Sequence, residues 1–323
     1  VEVPLEEEVV EAGKVKIVFM GTPEFALPSL NALLERGYSI PLVITQPDKP
    51  AGRGKRLKSP PVKEFAVKHG LEVIQPKTLK DESLIKRIKD VSPDFIVVVA
   101  YGKIIPKEIL SIPKFCVLNV HASLLPKYRG ASPIQSALLN GEKETGVTIM
   151  KVNEKLDSGE IFAQKRVPIR ESDNAKTLHD KLSVIGAELL VKVISEIVSG
   201  KAKPTPQDES KATYCRQISK EEGRIDWSLK AETIFNMVRA FYPWPSAYTS
   251  FRGKQLKILE VRVVECDEKD KPGTIIKVDR QSFTVKAGDG CLEVLKVKPE
   301  GKREMSAGEF INGYRVSVGE VFA

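Results

Sequence analysis

The sequence predicts an α/β fold, a Rossmann-like, doubly wound, mostly parallel sheet followed by a second, smaller β-barrel domain of the oligonucleotide-binding type. Three observations carry this expectation. Apolar runs without polar alternation (VKIVFM, IPLVIT, DFIVVVA and CVLNVH) alternate with amphipathic helical segments over the first part of the chain, as strands covered on both faces do. The composition then changes at 201–223, KAKPTPQDESKATYCRQISKEEG, which is polar and interrupted by proline. Beyond it lie short alternating runs (AYTSF, QLKILEVRVVE, GTIIKVD, SFTVKA and CLEVLKVKP) broken by Gly and Asp turns. The length of 323 residues also exceeds what one hydrophobic core usually organises.

In chain order, VKIVFM at 15–20 is a strand, and Phe25, Leu30, Leu33 and Leu34 recur at helical spacing until Gly37. IPLVIT at 40–45 is the next strand, followed by a long loop and by helices in PVKEFAVKHG and DESLIKRIKDV. DFIVVVA, CVLNVH and, after a helix in GASPIQSALLNG, GVTIMKV continue the strands. A long helix with Leu178, Leu182, Ile185, Leu189 and Ile194 along one stripe closes the first domain. One helix near 230–240 precedes the β-rich part. The expected division is a leader or expression remnant at 1–13, a catalytic domain at 14–202, a linker at 203–223 and the small β domain at 224–323.

The composition, 41% hydrophobic and 29% charged, is that of a globular protein, and no apolar run nears the length of a membrane span. The acidic start VEVPLEEEVVEAGK is unlike a secretory signal. Cys116, Cys215, Cys266 and Cys291 show no metal-ligand spacing, so four inert thiols in a reducing cytoplasm and no metal are expected. A net charge of +8 favours a polyanionic partner.

The three histidines can be weighed singly. His69 stands at a helix end and His179 within a helix, both structural positions. His121 ends an apolar strand, two residues after Asn119, and ligands of open α/β sheets bind beyond the carboxyl ends of strands. Asp157, in the Asp-Ser-Gly turn after GVTIMKV, is expected to project from the same edge. An amide, an imidazole and a carboxylate at one cleft suit acyl transfer to an amine: the first two donate to the developing oxyanion and the third holds the imidazole.

The other unusual segment is QPDKPAGRGKRLKSPPVK, 46–63, with six basic residues against the single acid Asp48. Gly and Pro are expected to prevent regular structure there. Its place after the second strand makes Lys49, Arg53, Lys55, Arg56 and Lys58 candidates for phosphate-backbone contacts. GRGK lacks the P-loop spacing, and FMGTPEF lacks the dinucleotide glycine pattern, which argues against nicotinamide and flavin.

FMGTPEFA, TQPDKPAGRGK, VVVAYGKIIP, NVHASLLPKYRGASPIQ, KLDSGEI and AFYPWPSAY together strongly resemble the methionyl-tRNA formyltransferase family, in order and over nearly the whole chain after the leader. The resemblance implies the formyltransferase fold, 10-formyltetrahydrofolate as formyl donor and the α-amino group of methionyl-initiator tRNA as acceptor. It places Asn119, His121 and Asp157 on the family's catalytic triad. It also implies a folate pocket lined by Ser123, Leu124, Leu125 and Pro126, with Ala100, Tyr101 and Gly102 on its other wall. The basic loop would approach the acceptor stem, and the β domain would grip the tRNA. A cytoplasmic monomer is expected, with no membrane partner. Two alternatives remain: a 10-formyltetrahydrofolate hydrolase or another amine formyltransferase of the same fold, and, from a different class, a noncatalytic RNA-binding protein.

Overall fold

The computed structural model describes residues 11–51, 56–266 and 269–323. By its contacts the chain forms two compact units. The first comprises the chain up to Pro133, Thr145–Pro168 and His179–Cys215; the second comprises Ile134–Glu144, Ile169–Leu178 and Arg216–Ala323. The stretch expected as a linker is thus part of the first unit as far as Cys215. Among the described residues no helix is long and apolar enough to cross a membrane.

The chain begins with β1 (Lys16–Gly21), α1 (Leu27–Glu35), β2 (Ser39–Ile44), β3 (Lys49–Ala51), β4 (Arg56–Lys58), α2 (Pro61–Lys68) and β5 (Val73–Ile74). It continues through α3 (Glu82–Val91), β6 (Phe95–Val99), α4 (Lys107–Leu110), β7 (Cys116–His121), β8 (Arg129–Gly130) and α5 (Pro133–Leu139). β9 (Glu144–Lys151), β10 (Ile161–Pro168), α6 (Ala175–Val198) and β11 (Tyr214–Cys215) follow. The main sheet has the order β10-β9-β7-β6-β1-β2-β5. β1 pairs in parallel with β2 and β6, and β6 with β7, so the chain winds outwards in both directions from β1, as expected.

Local chemistry sets the helix limits. Asp81 caps α3 by accepting the Ser83 N–H at 2.8 Å, and Ser92 ends it in the left-handed conformation. Leu84, Ile88 and Val91 of this helix pack on Val18, Met20, Leu42, Ile44, Ile96, Val98 and Val117. The opposite face is covered near β7 by α6, where Gly186 lies so close that an added methyl would stand 2.7 Å from Val120. β7 therefore presents Val117, Asn119 and His121 to one side of the sheet and Leu118 and Val120 to the other. Along the α6 stripe Leu178, Leu182 and Ile194 are buried as expected, whereas Ile185 and Leu189 are half-buried.

Three features differ from the sequence expectation. The basic loop is not irregular: β3 and β4 pair antiparallel with Lys49 opposite Lys58 and Ala51 opposite Arg56. The two three-residue segments pair although Pro50 lies in one of them; Arg53 and Lys55 lie outside the described residues. β9 pairs antiparallel with β7, so its end lies beside the start of β7 and not at the ligand edge. β10 is not expected from the sequence, because its residues run on from the Asp-Ser-Gly turn with little alternation in burial.

The second unit contains α7 (Ala231–Phe241), β12 (Ala247–Phe251), β13 (Lys254–Val264), β14 (Ile275–Val278), β15 (Phe283–Lys286), β16 (Cys291–Pro299), β17 (Met305–Ser306) and α8 (Ala307–Tyr314). Its sheet runs β12-β13-β16-β15-β14. The last residues bridge the gap between the edge strands: Ala323 exchanges backbone hydrogen bonds with Ser250 of β12, and Gly319 and Glu320 exchange them with Ile275 of β14. The ring of strands closes through this tail. Inside it, Phe283 is fully buried, with ring centroids 6.0 Å from both Phe310 and Phe322. α8 starts in a capping box formed by Ser306 and Glu309.

The expectation of four thiols is corrected at one pair, because Cys266 and Cys291 form a disulfide with Cα atoms 6.0 Å apart. Val264 sits opposite Cys291 in the β13–β16 register, which brings Cys266 within bonding range despite a separation of 25 residues. Cys116 and Cys215 lie outside this disulfide, and burial pushes the Cys116 thiol up to about 11. Truncating Phe283 to Ala is expected to destabilise the protein by about 3–5 kcal/mol, from the burial forgone plus the cavity left among the rings. Chemical denaturation should show a lower midpoint with an unchanged slope.

Candidate active site

The sheet face around β7 changes from closed to open along the strand. Val117 lies in the core under α3 and α4, Asn119 is half-buried, and His121 stands at the carboxyl end, 6% exposed. None of the hydrogen bonds among the described residues uses the Asn119 side-chain amide, so its N–H groups are available at the strand end. The His121 ring is fixed by the Tyr128 carbonyl, which lies 2.9 Å from Nε2. A carbonyl can only accept, so Nε2 carries a proton and Nδ1 is left as the nitrogen facing Asp157. Nδ1 and Oδ2 of Asp157 are 3.8 Å apart.

Asp157 reaches this position by a route that its place after β9 did not suggest. Because β9 runs against β7, the chain leaves β9 near the start of β7, where the Val152 N–H donates to the Val117 carbonyl. Residues 152–160 then fold over the same face as Asn119 and His121 before β10 begins. The loop is pressed against the end of β9: the Lys151 N–H donates to Glu160 O, and a Cβ at Gly159 would collide with the Lys151 carbonyl. Asp157 itself has φ 45°, and its Oδ2 accepts the Gly130 N–H at 2.8 Å. Gly130 is required in turn by φ 112° and by the Cys215 carbonyl, which occupies the place of a side chain. The two halves of the site thus meet at the turn 128–130.

The segment Ser123-Leu124-Leu125-Pro126 follows His121 directly and is held from below. Ser123 Oγ donates to Lys127 O at 2.6 Å, the Leu125 N–H donates to Thr148 Oγ1, and Gln164 Nε2 donates to both Leu125 O and Thr148 Oγ1. Ser123 and Leu125 are buried, and Leu124 and Pro126 are half-buried, so the latter two offer apolar surface at the edge. Ala100 and Gly102 are exposed at the end of β6 with φ 49° and 87°. Val98 of β6 pairs with Asn119, so the chain leaving β6 passes beside His121. Tyr101 points the other way, with its ring in the core cluster and its hydroxyl buried without a partner.

Of the basic candidates, Lys49, Arg56 and Lys58 are exposed on the β3–β4 hairpin. Lys63 is committed to Asp48, at 2.9 and 3.0 Å, and Gln75 also donates to that carboxylate; these bonds hold Asp48 below the usual carboxylate range. His69 donates to Phe65 O and stacks on Phe65; His179 pairs with Asp180. A groove of about 570 Å³ lies beside His179, and none of its lining residues comes from the ends of β6 or β7. Sequence reasoning missed Arg129, Gln164 and Gln207. Arg129 reads as one more basic loop residue, and only its 1% exposure distinguishes it.

A family model described as "Formyl transferase" matches residues 15–194, and one described as "Formyl transferase, C-terminal domain" matches 217–315. A methionyl-tRNA formyltransferase of Thermodesulfovibrio yellowstonii is 50% identical over 303 residues, 94% of this chain and 97% of that one. The chain belongs to the methionyl-tRNA formyltransferase family. The Bacillus subtilis protein of that name is 44% identical over 95% of this chain and 97% of its own. Among solved structures, WlaRD, a sugar 3N-formyl transferase crystallised with dTDP and 5-N-formyl-THF, superposes with a TM-score of 0.65 at 22% identity, covering 90% of this chain and 99% of that one. HypX from Aquifex aeolicus in complex with tetrahydrofolic acid gives 0.65 at 18% identity over 94% of this chain, which spans only 48% of HypX. At such identities the structures support the formyltransferase fold.

Burial pushes the Tyr101 phenol up to about 12. An unfolded chain releases this proton near pH 10, so between 10 and 12 the unfolded state holds fewer protons and stability falls as pH rises. Tyr101→Phe removes both the unpaired hydroxyl and the titration. It should raise the melting temperature at neutral pH and flatten the loss of stability above pH ~10, as thermal melts at stepped pH would show.

Proposed function

We infer that the protein is an enzyme that transfers the formyl group of 10-formyltetrahydrofolate to the α-amino group of methionyl-initiator tRNA, giving the N-formylmethionyl-tRNA used in translation initiation. The observation that carries this reading is the likeness to methionyl-tRNA formyltransferases over some 94–95% of the chain. The site geometry supports the chemistry. A half-buried amide without a protein partner beside an imidazole is what a carbonyl oxygen gaining negative charge requires.

In the proposed reaction the donor supplies a formyl carbon open to direct attack by the aminoacyl α-amine. That amine, with an ordinary pKa of roughly 7.7–8.0, is neutral in substantial fraction near pH 7. Asn119 donates its amide N–H to the formyl oxygen. His121, held through Nε2 by the Tyr128 carbonyl, offers Nδ1 as the proton carrier between the attacking amine and the departing folate nitrogen. Asp157, across from Nδ1, balances the charge on the ring and receives a proton directly or through water. Leu124 and Pro126, with the exposed backbone of Ala100 and Gly102, flank the donor, while Ser123, Leu125 and Tyr101 shape that wall from within.

For the tRNA, two pairs of like charges favour the reading. Lys49 faces Lys58 across the hairpin, and in the second unit Lys257 faces Lys298 across β13 and β16. Burial, with Lys298 and Lys220 nearby, lowers the Lys257 pKa. Like charges placed opposite each other destabilise a sheet unless an anion joins them, and phosphates supply that anion. We propose that Lys49, Arg53, Lys55, Arg56 and Lys58 meet the acceptor stem and that 224–323 holds the tRNA body. A cytoplasmic monomer accords with this role.

Supplying acceptors separately tests the activity. Formyl transfer to methionyl-tRNA is expected, and tRNA-independent hydrolysis of the donor as the main reaction would refute it. Asn119→Ala should lower turnover by about 10²–10³, since it removes one oxyanion donor. Asp157→Asn should lower it by about a hundredfold or more with folding intact; near-normal turnover would remove Asp157 from the mechanism. Changing Lys49, Arg56 and Lys58 together to Ala should raise the KM for tRNA and reduce the slope of log affinity against log salt by about one for each phosphate that is no longer neutralised. Folate binding, measured by fluorescence titration, should not change.

A further inference from the structure

The turn 128–130 touches both ionisable members of the proposed site. Its Tyr128 carbonyl accepts from His121 Nε2 at 2.9 Å, and its Gly130 N–H donates to Asp157 Oδ2 at 2.8 Å. Between them Arg129 points inward and is 1% exposed. Its guanidinium donates to Gln207 Oε1 (3.2 Å from Nε and 2.9 Å from Nη2), to Glu209 at 3.0 and 2.8 Å, and to the Tyr214 hydroxyl at 3.2 Å. Gln207 Nε2 in turn donates to the Asp157 and Gly159 carbonyls, both at 2.8 Å. One amide side chain therefore ties the buried arginine to the backbone of the Asp157 loop.

We infer that Arg129 and Gln207 are positioning residues of the formyl-transfer site: the guanidinium sets the orientation of Gln207, and Gln207 holds the Asp157 loop so that its carboxylate stays opposite His121 Nδ1. The inference rests on the catalytic reading of Asp157 given above. Two physical points support it. Asp157, at φ 45°, and Tyr128, at φ 58°, both have backbone conformations that L residues rarely adopt, so surrounding bonds must hold them. A buried arginine is also an inefficient stabilising device, because its desolvation offsets much of its pairing, and Glu209 on the far side is 68% exposed. Fixing geometry explains the arrangement better than stability does. The fork matters as well as the charge, since Arg129 reaches Gln207 through Nε and Nη2 and Glu209 through Nη1 and Nη2, a spread of donors that a lysine lacks.

The direct test is Gln207→Glu. It keeps an acceptor for Arg129 and so preserves the buried pair, but it deletes both N–H donors to the Asp157 loop. Single-turnover formylation of methionyl-tRNA should slow by ~10- to 100-fold, the range expected when a catalytic group is misplaced by about an ångström. The KM values for tRNA and for the formyl donor should stay within about threefold, and the melting temperature should hold. The deciding readout is the cycle with Asp157→Asn. If Gln207 acts through Asp157, Gln207→Glu costs less than about twofold in that background, whereas independent effects would multiply. Unchanged turnover of Gln207→Glu, or an equal fold-loss in both backgrounds, would overturn the inference. Arg129→Lys, which keeps the charge but not the fork, should slow turnover in the same non-multiplicative way, and wild-type turnover would remove Arg129; if that variant does not fold, the Gln207→Glu cycle decides. Near-normal turnover of Asp157→Asn alone would mean instead that the catalytic reading has failed.

Discussion

The arrangement depends on a single hydrogen bond, from His121 Nε2 to the Tyr128 carbonyl. It assigns the ring proton, and with it the nitrogen that remains for chemistry, because a carbonyl has no proton to give. Asn119 and His121 could share a strand face in many proteins. What makes them a candidate site is that β7 runs out from under α3 and α4 at this point, and that a turn seven residues on returns to lock the ring. The rest of the first unit can be seen as support for that turn. β8 pairs with β11, Gly130 admits the Cys215 carbonyl, and the Asp157 loop crosses the same face.

Much of this is legible in the sequence, for definable reasons. The parallel strands, the long helix and the β-rich second part all follow from local apolar patterning, and the strand-end pair Asn119 and His121 follows from a spacing of two. Asp157 does lie beside His121, but the sequence argument for it does not hold. Asp157 would follow β9 to the ligand edge only if β9 ran parallel to β7, whereas the strand is antiparallel and the loop doubles back over the face. Strand direction depends on which edge is vacant, and no run of residues encodes that locally. The Cys266–Cys291 bond, the Lys49–Lys58 pairing and the closure of the second sheet by residues 319–323 share this character, being long-range or dependent on register.

Arg129 shows the limit most clearly. In the sequence it stands in KYRG, two residues after Lys127, and its charge invites a phosphate. In the fold it is among the most buried side chains and belongs to the interior. Charge counted along a chain therefore overstates what a polyanion can reach. Lys63, bound to Asp48, is a second such case. On the hairpin the exposed Lys49 and Lys58 stand opposite each other, and on the sheet of the second unit the half-buried Lys257 and Lys298 do the same.

The bracing of Asp157 by Gln207 also bears on what counts as a module. Judged by composition, the catalytic part ends near residue 202, and the polar stretch after it is dispensable tether. Gln207, Glu209, Thr213 and Tyr214 all bond back to the turn or to the aspartate loop, and β11 completes a pairing with β8. A fragment cut at 202 would keep every residue of the Asn-His-Asp constellation and forgo the bonds that aim it. Bonds to the turn continue as far as Cys215, so a piece that keeps the geometry of this candidate site has to extend at least that far.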